Sequence, residues 1–175
     1  MARLRRKSFF GDTRGATAVE FALLAPIFFT LLGAILETSV NYLAAQVLES
    51  GVQDTSRLIR TGEAQRRNWT VADYKKDVCG RLFGLFGDCS DMYVSVRQID
   101  TFQSADYEVP LDRDCKSNCK WSKSDEWQPG VASGVVMIQV YYRYPSILQT
   151  PLADNRLGDG RLLMGAATVF RNEPF

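Results

Sequence analysis

The 175-residue chain contains no histidine. That excludes a Ser-His-Asp or Cys-His nucleophile system and any His-ligated metal site. It also removes the usual proton shuttle near neutral pH. Net charge is nearly absent: 21 Lys and Arg oppose 20 Asp and Glu. No global field recruits nucleic acid or an acidic substrate. None of the four cysteines stands in a CxxC redox motif. There is no internal repeat and no low-complexity tract. An enzyme would have to work through carboxylates alone, and only 106–126 offers a pair. The chain is therefore read as a non-enzyme without a cofactor.

What is present is concentrated at the N-terminus. Arg3, Arg5, Arg6, Lys7 and Arg14 stand against Asp12 alone. An uncharged run follows from Phe21 to Leu36, in which Thr30 is the only plainly polar residue. With Ala16–Glu20 it approaches the roughly 20 residues that a membrane-spanning helix needs. A basic head keeps its side in the cytoplasm, so the expected orientation is N-in. A cleaved secretory signal would need a small-x-small site after the run. "AILETSV" after Gly33 matches poorly, and the helical pattern continues through it. Pro26 predicts a kink, and Gly33 is a second weak point.

Glu20 is out of place in such a run. A lone carboxylate at membrane depth costs about 2.5–3.5 kcal/mol at the helix centre and less near the interface. The small pair Gly15-Ala16 precedes it, Glu20 is the fifth residue after Gly15, and Phe21 follows. This pattern resembles the processing site of type IV prepilins, where a prepilin peptidase cuts after Gly. Cutting after Gly15 would leave an ammonium on Ala16, one helical turn from Glu20. The carboxylate would pair with that ammonium or with a neighbouring subunit's. The plainer reading puts Glu20 at headgroup level with no role.

Beyond Glu37 the 3.6-residue period persists through Val40, Leu43, Ala44, Val47, Leu48, Gly51, Thr55, Leu58 and Ile59. Gly62, with Arg57 and Arg60 just before it, is a stop signal. Ala16–Arg60 forms either one helix of about 68 Å or two helices broken near Thr38-Ser39. Residues 71–85 read as a short helix weakened by Gly80 and Gly84. The alternation in 92–100 predicts a strand, as do the β-branched and aromatic residues of 135–145 and the segment 162–171. Asp106–Val109 is a further candidate strand. The expected fold is α+β, a long N-terminal helix packed on a small, mainly antiparallel sheet. Its parts are a basic cytoplasmic leader (1–15), a transmembrane helix (16–37), an amphipathic extension (38–62) and a periplasmic α+β domain (63–175).

The stretch 110–134 is long and irregular, and it contains Trp121 and Trp127, expected to fold back onto the sheet. Asp112, Asp114, Asp125 and Glu126 are numerous enough to suggest calcium. Their spacing does not match an EF-hand loop, and lysines lie between them, so no metal is assigned. Cys79, Cys89, Cys115 and Cys119 all follow the apolar run, on the side where disulfides form if the head is cytoplasmic. Three full pairings exist. Cys79–Cys89 and Cys115–Cys119 are favoured because each closes a short loop. A zinc site fits worse, since the gap between Cys79 and Cys89 is not that of a compact ligand pair.

The chain resembles the TadE-like proteins, pseudopilins or minor pilins of the tight-adherence (Tad/Flp) pilus system. The match is carried by "RGATAVEFALLAP" (14–26), by the helix "LETSVNYLAAQVLESGVQDTSRLIRTGEAQ" (36–65), by "VCGRLFGLFGDCSDMYVSVRQID" (78–100) and by "GAATVFRNEPF" (165–175). Phe21 stands where the family usually has Tyr. The resemblance implies a structural subunit of the inner membrane, cut after Gly15 and taking part in pilus assembly. Its implied partners are membrane lipid, the prepilin peptidase, other pilins and pseudopilins, and the assembly platform. A different class stays open: an uncut, single-pass periplasmic scaffold or ligand-binding protein. Cleavage discriminates the two.

Overall fold

The computed structural model describes residues 15–112, 115–117, 119–145 and 157–175. The basic leader up to Arg14, and Asp114 of the acidic group, lie outside the described residues.

Helix α1 is one uninterrupted element, Ala16–Arg60, of 45 residues, or about 68 Å. The alternative break at Thr38-Ser39 does not occur. Thr38 Oγ1 donates to the Ala34 carbonyl at 2.8 Å and Ser39 Oγ to that of Ile35 at 2.8 Å. Both hydroxyls are thus satisfied inside the helix instead of competing with it. The helix stops where expected. Gly62 adopts φ +74°, its N–H bonds the Ile59 carbonyl at 3.0 Å, and Glu173 N–H takes the Arg60 carbonyl at 2.8 Å. These bonds satisfy carbonyls that a helix end leaves orphaned.

After a single turn, α2 (Glu63–Arg66), comes α3 (Val71–Arg81). Thr70 and Asp73 form a reciprocal capping box at its start. It ends four residues before the expected Leu85. Gly84 and Gly87, and even Phe83, have positive φ, and 82–88 is a chain of turns.

Four strands make one sheet in the order β2-β1-β3-β4: β1 (Met92–Ile99), β2 (Glu126–Trp127), β3 (Val135–Tyr144) and β4 (Leu162–Arg171). β1 and β4 flank β3 antiparallel, and β2 joins β1 in parallel. The sheet is therefore mixed but mostly antiparallel. Side chains directly opposite across the ladder share a face. Val94 faces Val140, and Val140 faces Ala166. This face is the main core, closed by Ala44, Leu48, Val52 and Ile59 of α1 and by Tyr74, Val78 and Leu82.

Two expectations need correction. The packed stripe of α1 begins at Ala44 and includes Val52 and Ser56, whereas Val40 and Leu43 remain exposed. Glu37, one turn below Val40, is nonetheless buried, so the cover at this level runs along the side of Glu37 and Ala44 and misses Val40 and Leu43. Asp106–Val109 forms no strand. It crosses the second face of the sheet, where the Asp106 carbonyl accepts from the Arg97 guanidinium and, at 3.1 Å, from Gln139 Nε2. Side chains that project from the face hold this segment, so no ladder is needed. A second, smaller cluster of Leu111, Cys119 and Leu157 sits on that side. Both tryptophans fold back as expected. Trp127 packs on the main core beside Tyr74, with ring centroids 5.7 Å apart. Trp121 lies 5.6 Å from the Tyr93 ring and beneath the Arg143 guanidinium.

Candidate functional site

The functional candidate is the part of α1 that the domain leaves uncovered. From Ala16 to Leu36 only Ala25, Gly33 and Ala34 are even partly covered. Phe21 is 67% and Ile27 71% exposed. Water would not tolerate so long an apolar rod at equilibrium. The helix is long and apolar enough to cross a membrane, and none of its most apolar window is buried. The sequence pattern explains the contrast along one helix. Below Leu36 apolar residues occupy every side, and above Ala44 they occupy one stripe.

The Gly15-Ala16 and Glu20-Phe21 pattern lies at the tip of this rod. Ala16 is the first helical residue and Gly15 its N-cap, and both are exposed. Glu20 and Phe21 are exposed on the first two turns. Ala16 and Glu20 stand four residues apart, which places them on one face about 6 Å apart along the axis. Pro26 lies inside the helix without ending it. It has no N–H to donate, and the Thr30 hydroxyl donates to its carbonyl at 2.7 Å.

The domain holds two disulfides, Cys79–Cys89 and Cys115–Cys119, the pairing favoured from loop length. The first ties the end of α3 to the start of β1. The second staples the segment that covers the second face of the sheet. Two of the acidic residues offered for calcium, Asp125 and Glu126, are otherwise engaged. Asp125 pairs with Lys75 at 2.7 Å and accepts the Val94 N–H at 2.9 Å. Glu126 accepts from Ser95 Oγ at 2.8 Å. Among the described residues no cluster of three metal-ligating side chains forms.

Sequence reasoning missed the 82–88 turn. It was absorbed into the expected helix, although Gly80, Gly84 and Gly87 in close succession are the signal that marks it. The turn leaves Phe83 85% exposed beside α1.

The chain is thus an α+β domain carried on a long N-terminal helix whose first half is exposed and apolar. The comparison with known families agrees: the family model described as TadE-like protein matches residues 15–57, nearly the whole of α1. Over that segment the chain is similar to the TadE-like family. No curated protein and no solved structure matches the chain.

Proposed function

We propose that this protein is a minor pilin or pseudopilin of a Tad/Flp-type pilus, inserted N-in and cut after Gly15 by a prepilin peptidase. The observation that carries the reading is the bare apolar rod, headed by Gly15-Ala16 and Glu20-Phe21, within the segment that matches the TadE-like family. In this account the precursor is held in the inner membrane with residues 63–175 in the periplasm. The two disulfides support that side. α1 packs among the helices of other pilus subunits, and the α+β head selects partners. The catalyst is the peptidase, not this chain.

Glu20 acts by charge. Cleavage converts the Ala16 amide nitrogen into an ammonium. In apolar surroundings a carboxylate and an ammonium attract far more strongly than in water. A neighbouring subunit's ammonium on Glu20 would set the axial register between helices. The test is Glu20→Ala expressed with its peptidase and partner pilins. The expected outcome is a chain still cut at Gly15 that no longer copurifies with the assembled pilus fraction. Undiminished copurification would remove the pairing role.

A further inference from the structure

We propose that the outer edge of β4 is a docking site for an extended strand of a different protein chain, uncharged along its middle and acidic where it meets Arg171. β4 is the last strand of the sheet, and among the described residues no strand pairs along its outer side. The direction of its backbone groups follows from the ladder. The Val96 carbonyl accepts from Gln128 N–H at 2.7 Å, Val94 N–H donates to Asp125 at 2.9 Å, and the Met92 carbonyl accepts from Lys75 at 2.7 Å. These residues turn their backbone groups away from β3, so by alternation Ser95 turns toward it. Ser95 stands opposite Gln139, and Gln139 opposite Ala167. Gln139 therefore spends its backbone groups on β1, and those of Ala167 point outward. The same parity sends Leu163, Gly165, Val169 and Arg171 outward. Two bonds beyond the ladder agree: Asn172 N–H turns inward to the Gly134 carbonyl at 2.8 Å, and the Arg161 carbonyl turns outward to Leu157 N–H at 2.9 Å.

The usual defences of an edge are missing. Natural sheets protect edges with charges, proline, bulges or short strands. β4 has 10 residues. It carries no charge from Leu162 to Phe170 and no proline. Its register with β3 runs from Leu162 to Arg171 without a bulge. Gly165 and Ala167 are exposed. The opposite side of the sheet is protected, because Asp125 and Lys75 occupy the Val94 and Met92 groups.

The chemistry of the edge selects its occupant. A row of N–H and C=O groups at every second residue, about 6.8 Å apart, is matched by another extended backbone. A second copy fits poorly. Its β1 edge is plugged. Full overlap of two β4 edges would set Arg171 opposite Arg161 when antiparallel, or beside the other Arg171 when parallel, and like charges so placed destabilise a pair. Arg171 is exposed, with its Nε on the Ser133 carbonyl at 2.8 Å. A carboxylate on the incoming strand complements it.

The test is residue-resolved hydrogen exchange on the full-length protein in detergent micelles, with the end-blocked peptide EVTVTVTVTE as the probe strand. Without peptide, the amides of Gly165, Ala167 and Val169 should exchange fast while those of Ala166 and Thr168 stay slow. Peptide at about ten times its Kd should slow the fast set roughly tenfold, and KVTVTVTVTK should protect less. Ala167→Pro removes an outward N–H without touching the β3 ladder and should abolish the protection. Arg171→Glu leaves the backbone intact and should reverse the preference between the two peptides. Slow exchange of the outward amides before any addition would mean that the chain covers its own edge, and would overturn the proposal. Slowing with protein concentration alone would make a second copy the occupant and overturn it too. So would unchanged exchange at saturating peptide.

Discussion

Tyr74 shows how a single residue joins α1 to the domain. It is fully buried, and its hydroxyl meets Ser56 on α1 at 3.1 Å. Burial pushes the hydroxyl well above the ordinary tyrosine range, and the Ser56 contact offsets only part of that. Because the folded value is raised, its stabilisation is complete below the unfolded value of about 10 and is lost as pH rises above it. Tyr74→Phe should cost about 1–2 kcal/mol at neutral pH by stranding the Ser56 hydroxyl. It should also flatten the alkaline loss of stability, as read from urea unfolding at several pH values. Gly62 is equally constrained. A β-carbon there would lie 2.3 Å from the Phe175 ring at a backbone φ of +74°. Gly62→Ala should cost about 1–2 kcal/mol from the backbone alone, with more for displacing Phe175, and should lower the melting temperature. Gly62 was legible as a stop from local sequence. The Phe175 ring above it was not, because only tertiary folding brings residue 175 to residue 62.

Among the elements, the short outer strand β2 leaves part of the β1 edge without a strand partner. Beyond the short β2, the start of β1 is plugged by side chains. Asp125 takes the Val94 N–H, and Lys75 donates to the Met92 carbonyl at 2.7 Å. A charged pair across free backbone groups is a known way to deny an edge to other strands. Asp125→Ala should cost about 1–3 kcal/mol through the orphaned Val94 N–H. Light scattering should also rise on mild heating. Helix α3 depends on its start in the same way. Thr70→Ala should cost about 1 kcal/mol. The backbone N–H and hydroxyl of Thr70 hold the Asp73 carboxyl below its ordinary value. That stabilisation is present above the unfolded value of about 3.9 and is lost as pH falls below it. Thr70→Ala should therefore shrink the fall in α3 stability below about pH 4, as followed by hydrogen exchange of its amides.

Strands β3 and β4 were legible almost to the residue, since dense β-branched and aromatic runs bounded by Pro or Gly leave little choice. The two-residue β2 was not, because Glu126-Trp127 carries no periodicity and pairs only because Asp125 and Lys75 bring it to β1. The cover over the second face was also unreadable. It depends on Arg97 and Gln139 reaching a carbonyl on a distant loop, which leaves no local pattern.

At the scale of the molecule, one helix carries two kinds of surface. Its upper third is a core element under a mixed sheet, and its lower half is bare. The domain, closed by two short disulfide loops, folds around the top of the rod and leaves Gly15 and Ala16 at the far tip. Replacing both Cys79 and Cys89 by Ser should cost about 2–4 kcal/mol, measured by chemical unfolding in detergent. The exposed rod should be unaffected, so liposome association should persist. Of the candidate site, the apolar run was readable, because it rests on composition alone. How much of α1 the domain leaves bare was not, since Val40 and Leu43 fit the apolar period of the packed stripe.

The central claim is that this chain is a processed subunit. The most direct measurement is the intact mass of the membrane-extracted protein made with and without its prepilin peptidase. The account predicts a loss of residues 1–15 alone, only when the peptidase is active, leaving Ala16 as the new N-terminus. A full-length mass in the presence of active peptidase would contradict it and make an uncut, membrane-anchored periplasmic scaffold the better description.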